Sequence, residues 1–176
     1  MQIRIATAGD LKSCMALDNA YETDHVWQMQ AEVGANRVDA VFQFTRLPRP
    51  VVVKAPLDGE RLRLDWARHE CFLVADHAEE VLGFLDMTVR RWQNVGWINH
   101  LVVDRQYRRH GIGKALLRMA HLWAEQEQIR ALMLETEPKN HPAIQLYQQQ
   151  GFSFCGYNDQ YYNNNDIAIF FACRMK

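Results

Sequence analysis

The sequence predicts an α/β (α+β) protein built on a mixed, mostly antiparallel central sheet of about seven strands with flanking helices. Apolar runs of period two joined by short turns predict antiparallel strands. Two amphipathic stretches at helical spacing, each set between strand-like runs, supply the helices. The chain has 176 residues, 48% of them hydrophobic and 23% charged. That is the size of one domain with a real core, so residues 1–176 are read as a single domain.

Gln2 to Ala6 alternates as a short strand with Ile3 and Ile5 on one face. Thr7 is a candidate helix N-cap, with Asp10 three residues on. Leu11, Met15, Leu17, Asp18 and Tyr21 continue a helical pattern. Val38 to Leu47 is rich in β-branched and aromatic residues and reads as a strand ended by Pro48-Arg49-Pro50. Val51 to Lys54 is extended, and Asp58 to Ala67 reads as a short helix. Glu70 to Asp76, Val81 to Arg91 and Trp97 to Val103 are strands, separated by turns at His77 to Glu80 and at Asn94-Val95-Gly96. Gly111 to Gln126 is an amphipathic helix, and Ile129 to Thr136 is a strand. A helix starts at Pro142 and ends at Gln150 before Gly151. Phe152 to Tyr157 is a strand, Asn158 to Asn165 a polar loop, and Ile167 to Met175 the last strand.

The segment Arg108-Arg109-His110-Gly111-Ile112-Gly113-Lys114-Ala115 carries the chemistry. It joins the apolar run Ile98 to Val103 to a helix. Amides at a helix N-terminus have no internal partner and sit at the positive end of the macrodipole, which suits a pyrophosphate. The two glycines allow close approach, and Arg105, Arg108, Arg109 and Lys114 add charge. The loop lacks the four-residue gap and Gly-Lys-Ser/Thr of a nucleotide-hydrolase loop. It also lacks the third glycine and the parallel entry of a dinucleotide fold.

Composition excludes other classes. A formal net charge of −1 gives no footprint for nucleic acid. Met1-Gln2-Ile3-Arg4-Ile5 lacks a signal peptide's apolar core, and no apolar run approaches membrane-spanning length. Cys14, Cys71, Cys155 and Cys173 form no C-x-x-C pair and read as buried free thiols. The expectation is a cytoplasmic protein with no metal and no membrane or nucleic-acid partner.

The Arg-x-x-Gly-x-Gly pattern between strand and helix resembles the signature of the GNAT superfamily of acetyl-CoA-dependent N-acetyltransferases. Asn140-His141-Pro142-Ala143-Ile144-Gln145-Leu146-Tyr147-Gln148-Gln149-Gln150-Gly151-Phe152 is similar to that family's Asn-x-x-Ala-x-x-Leu-Tyr-x-x-x-Gly-Phe. The resemblance implies a GNAT fold in which the strand Trp97 to Val103 splays from the strand ending near Thr136, with acetyl-CoA in the opening. Backbone of Leu101, Val102 and Val103 would hold the acetyl and pantetheine portions. Backbone of Arg109, His110, Gly111, Ile112, Gly113, Lys114 and Ala115, after Arg108, would cradle the pyrophosphate. Asn140 and Ala143 would flank the pantetheine arm, and Tyr147 would protonate the leaving thiolate. Backbone N–H of Val102 or Val103 could serve the oxyanion. His100, with an ordinary pKa near 6.5, is one candidate base; Glu135 on the facing strand is the rival, and a water-mediated base is the third option. His110 lies in the pyrophosphate loop, too far from the thioester.

Within the family, Leu132-Met133-Leu134-Glu135-Thr136, Arg91-Trp92-Gln93-Asn94 and Ile169-Phe170-Phe171 resemble streptothricin acetyltransferases. Those enzymes acetylate an amine on the β-lysine arm of an aminoglycoside-like antibiotic, and carry an acidic pair where this chain has Asn99-His100. The implied function is acetyl transfer to a primary amine of a small molecule, with antibiotic resistance as its biology. Acetylation of proteins or peptides, and a silent CoA-binding sensor, are the alternatives; a sensor has no need of Tyr147. Asp86, Asp104, Glu135, Glu137 and Asp159 are the acidic residues that could receive a cationic amine; most of them read as solvated surface charges, and only Glu135 is expected to face the cleft. Trp27, Met29, Phe42 and Phe44 either line an acceptor site or serve as core or homodimer contacts.

Overall fold

The computed structural model describes residues 1–54, 59–162 and 166–175. β1 (Gln2–Ile5) leads through a 3-10 turn into α1 (Leu11–Ala16). β2 (Tyr21–Val33) and β3 (Val38–Val53) form a long hairpin, and α2 (Gly59–Trp66) follows. Next come β4 (Cys71–His77), β5 (Glu80–Arg90), β6 (Val95–Val103) and α3 (Ile112–Gln126). β7 (Ala131–Thr136), α4 (His141–Gln149), β8 (Ser153–Asn158) and β9 (Ala168–Arg174) complete the order. Seven strands make one sheet, β1-β4-β5-β6-β7-β9-β8, with β2 and β3 apart. Within the sheet β6 and β7 pair in parallel, and the other neighbours pair antiparallel.

Strand alternation splits the core in two. Leu73, Leu85, Met87, Ile98, Leu132 and Leu134 face α3 and α4, whose Leu116, Leu117, Ala120 and Ile144 complete that cluster. Phe72, Val74, Phe84 and Val102 face the other way, against Cys14 of α1 and Leu62 of α2. Each buried Val, Leu, Ile, Phe or Met side chain among these contributes roughly 1.5–3 kcal/mol.

Several expectations need correction. Tyr21 does not continue a helix: α1 ends at Ala16, and Tyr21 opens a strand of 13 residues. Trp27, Met29, Ala31 and Val33 alternate with Gln28, Gln30 and Glu32, a period-two signal that outweighs the helical spacing upstream. The prolines do not end the next strand. β3 runs to Val53, because Thr23 pairs with Val51 and His25 with Arg46. Leu47 to Pro50 therefore bulge opposite Asp24 alone, where a missing N–H breaks no ladder. The turn expected at Asn94-Val95-Gly96 closes at Asn94, which takes a left-handed φ of 53°, and buried Val95 already belongs to β6. Cys14 and Cys71 are buried free thiols as expected, whereas Cys155 is exposed and Cys173 half-buried. Asp58 of the predicted 58–67 helix and residues 163–165 of the polar loop lie outside the described residues.

Arg4 fixes β1 to the start of α1. Its guanidinium donates to both oxygens of Asp10 at 2.8 Å and to Asp76 at 2.5 Å. Asp10 also accepts from the Thr7 N–H at 2.7 Å. The Arg4 hydrogen bonds hold the Asp10 carboxyl well below the usual carboxylate range, against a smaller opposing effect of burial. A depressed folded-state pKa gives stability that is complete above about pH 4 and lost as pH falls toward the folded value. Asp10→Asn is expected to cost about 1–3 kcal/mol at neutral pH. Urea denaturation at neutral pH and near pH 3 checks this. Equal stability of the two proteins at neutral pH would refute it.

Candidate active site

β6 and β7 share only three pairings, Val95↔Ala131, Gly96↔Leu132 and Trp97↔Met133. β6 runs on to Val103 and β7 to Thr136 without a common ladder. The result is a wedge whose walls include backbone groups free to bind something else. The Asp104 N–H donates across to Leu82 of β5 at 2.9 Å. Backbone directions alternate along a strand, so Val102 also turns its N–H toward β5, while Leu101 and Val103 turn theirs into the wedge. Of the two expected oxyanion donors, Val103 has the right direction and Val102 does not.

The basic loop lies between the end of β6 and α3. Arg109 and Gly111 adopt left-handed φ of 68° and 81°. The six consecutive amides from Arg109 to Lys114 donate to nothing among the described residues; the first bond is Ala115 N–H to Gly111 O at 3.0 Å. They stand at the positive end of a helix of 15 residues. No atom comes within 4 Å of where a Gly111 Cβ would sit, so the cradle is open there. Gly113 acts differently: its Cβ would lie 3.0 Å from Leu146, so its absence lets α3 approach α4. Ile112 is buried in the core and offers only backbone. The Arg108 guanidinium is turned inward, donating to the carbonyls of Val103 at 3.0 Å and Ala20 at 2.6 Å. Its charge therefore ties the α1–β2 connection to the loop, leaving exposed Arg109 and Lys114 as the cations beside the amides. His110 is exposed, with Nδ1 3.2 Å from the Tyr107 carbonyl.

α4 begins beside the wedge. Asn140 caps it by accepting from the Ala143 N–H. One turn further on, Tyr147 is buried between Phe152 and Phe171, with ring centroids 6.2 and 6.1 Å away. Its hydroxyl has no hydrogen-bond partner among the described residues. Burial, with the charge of Glu135 adding to it, raises its pKa well above the ordinary tyrosine value.

The sheet face toward α2 is polar near the wedge. β6 holds one extra residue: Asp86 pairs with His100 and Met87 with Ile98, leaving Asn99 as a bulge. A bulge puts two successive side chains on one face. Asn99 and His100 thus both reach Asp86, whose side chain is 0% exposed. Asn99 Nδ2 donates to one Asp86 oxygen at 3.0 Å, and His100 Nδ1 lies 2.7 Å from the other. Asp65 of α2 comes within 3.9 Å of the same nitrogen. Across the wedge, Glu135 accepts from Trp97 Nε1 at 2.9 Å and from Tyr161. Burial raises the Glu135 pKa against those hydrogen bonds, and the Tyr161 hydroxyl is pushed up to about 12, mainly by burial. The Arg90 guanidinium sits 3.7 Å over the Trp97 ring and steadies that wall.

Asp86 is not the solvated charge expected of it. The signal was present: it interrupts the apolar run Val81 to Met87, where an unpaired charge would be costly. Asp65, Asn99, Trp97 and Tyr161 were also missed, because only the fold brings them here. Trp27, Phe42 and Phe44 come from the β2–β3 hairpin. Trp27 and Phe42 pack against the core, and Phe44 stacks on His25 and contacts His141. Phe42 also meets Phe154 and Tyr157.

Fold and site together define an N-acetyltransferase, an acyltransferase in which a splayed strand pair opens beside a helix-capped anion cradle. Residues 38–152 match the acetyltransferase (GNAT) family, and the chain belongs to it. It is an acetyl-CoA-dependent acetyltransferase with the GNAT fold. The chain is 27% identical over 168 residues to the streptothricin acetyltransferase of Streptomyces lavendulae, covering 92% of this chain and 86% of that protein. The crystal structure of a nourseothricin acetyltransferase superposes with a TM-score of 0.83 at 22% identity, covering 99% of this chain and 98% of that one. A Bacillus anthracis protein assigned as a streptothricin acetyltransferase, in complex with acetyl coenzyme A, superposes with a TM-score of 0.77 at 21% identity, covering 98% of each chain. No helix among the described residues is long and apolar enough to cross a membrane.

Proposed function

We propose that residues 1–176 act as one domain that transfers the acetyl group of acetyl-CoA directly to a primary amine of a small, cationic molecule of the streptothricin kind. The observation that carries this reading is the wedge. It has free amides of the cradle at one end and a carboxylate-lined face at the other.

Acetyl-CoA fits the donor side and supplies an activated acetyl thioester. Amides of Arg109 to Lys114 hold its pyrophosphate, with Arg109 and Lys114 adding charge and Arg108 bracing the loop. Leu101 and Val103 present backbone to the acetyl and pantetheine portions, with Val102 fixing the strand from the opposite face. Asn140 and Ala143 flank the arm. The Val103 N–H stabilises the oxyanion. Tyr147, neutral at physiological pH, donates its proton to the departing sulfur.

An amine is mostly protonated near neutral pH and attacks only after losing a proton. Asp65 and Glu135 give the acceptor face negative charge that attracts it. His100 takes the proton, and Glu135 holds the incoming ammonium. The similarity over 92% of the chain to a streptothricin acetyltransferase supports an acceptor of that chemical class.

Thiol release from acetyl-CoA in the presence of streptothricin, simple diamines, and peptides with free N-termini or lysines tests the reading. Turnover of streptothricin or diamines above peptides is the expected result. Turnover of peptides alone would make the protein a peptide acetyltransferase. Acetyl-CoA binding without turnover of any amine would make it a sensor.

A further inference from the structure

We infer that Asp86 is the positioning residue of the acetyl transfer: it holds His100 in the tautomer that leaves Nε2 free to take the acceptor's proton. This rests on His100 being the base, and assigns the group through which that base is set.

A carboxylate can only accept, so the 2.7 Å contact requires the proton on His100 Nδ1. Nε2 then carries the lone pair and makes no hydrogen bond among the described residues. The second Asp86 oxygen accepts from Asn99, so the carboxylate cannot swing away from the ring. Asn99 in turn accepts from Thr88 at 3.4 Å. The β6 bulge makes this possible: in a regular strand Asn99 and His100 would point to opposite faces. The Phe84 ring, 6.1 Å from the imidazole, closes the side toward the core.

The charged groups that face His100 are Asp86 from β5, Asp65 and Arg61 from α2, and Glu135 from β7. Burial lowers the imidazole pKa, but the Asp86 hydrogen bond and the charges of Asp86 and Asp65 outweigh it and Arg61. The net direction is upward. The acid limb of kcat/KM therefore lies above the ordinary histidine value in the native enzyme. It moves to lower pH when the Asp86 charge is removed.

The proton balance closes. The acceptor ammonium first passes one proton through Nε2 to solvent; as the neutral amine nitrogen then bonds to the acetyl carbon, its second proton passes to Nε2, while the Nδ1 proton stays shared with Asp86. The carbon–sulfur bond breaks, and the sulfur leaves with the Tyr147 proton. Solvent then takes the proton from Nε2 and restores the tyrosine.

Three measurements on the full chain test this. Histidine 15N NMR of the native protein, at a pH above the His100 titration so that the ring is neutral, is expected to show the proton on Nδ1; a neutral ring protonated on Nε2 instead would overturn the proposal without any mutation. Asp86→Asn is expected to lower kcat at least about tenfold and to shift the acid limb downward, with KM for acetyl-CoA nearly unchanged. In a His100→Ala background the same substitution is expected to cause no further loss, because the two act as one unit. Losses that multiply, or an unmoved acid limb in folded Asp86→Asn, would refute the positioning role. If His100→Ala keeps full kcat, the base assignment falls and the proposal with it. If His100→Ala loses activity and folded Asp86→Asn does not, only the positioning role falls.

Discussion

Tyr147→Phe is expected to lower kcat by about 10²–10³-fold while leaving KM for acetyl-CoA nearly unchanged. The ring is set by Phe152 and Phe171, contacts that phenylalanine preserves. The hydroxyl has no partner among the described residues, so its removal strands no buried group. Stability should therefore change little, and the loss should fall on the step in which sulfur departs. Steady-state kinetics with thermal melting of both proteins checks the split. A wild-type kcat would remove Tyr147 as the acid; a matching fall in melting temperature would make its role structural.

Gly111→Val is expected to weaken acetyl-CoA binding by about 10–100-fold. The space for a side chain exists, so the penalty is conformational. At a φ of 81° a β-branched residue is strained by about 1–3 kcal/mol, and every tenfold in affinity is about 1.4 kcal/mol. The loop relieves that strain by leaving the left-handed region, which swings the Arg109 to Lys114 amides off their common target. Calorimetric titration with acetyl-CoA measures it. An unchanged affinity in the folded variant would contradict the assignment of the cradle. Gly113→Val should behave differently, since its clash with Leu146 pushes α3 from α4 and costs stability as well as binding.

The geometry of the candidate donor half was legible in the sequence because it is local. Arg108 to Ala115 form one strand-to-helix connection, and Asn140 to Phe152 one capped helix, so spacing alone reports their geometry. The central strands were legible for the same reason: period-two apolar runs with short turns leave few alternatives. The hairpin was not. A long strand that crosses two prolines by bulging reads as a strand that stops. The acceptor half was least legible. Asp65, Asp86 and His100 lie on three elements and bring ligand-type atoms within 4.8 Å of one another only after α2 packs on the sheet. The β6 bulge that brings Asn99 onto Asp86 beside His100 follows from ladder register, which no local pattern encodes. Arg108 illustrates the reverse. Its place in the motif marks it as an anion-binding charge, while the fold spends that charge on the carbonyls of Val103 and Ala20.

The central claim is direct transfer from acetyl-CoA lodged between β6 and β7 to a small cationic amine on the Asp86–His100–Glu135 side. Initial-velocity kinetics with acetyl-CoA and streptothricin varied together, with mass spectrometry of the product, tests it most directly. Intersecting double-reciprocal lines and a streptothricin carrying one added acetyl group are the predicted result. Parallel lines, which signal an acetylated enzyme, or turnover confined to peptides would contradict it.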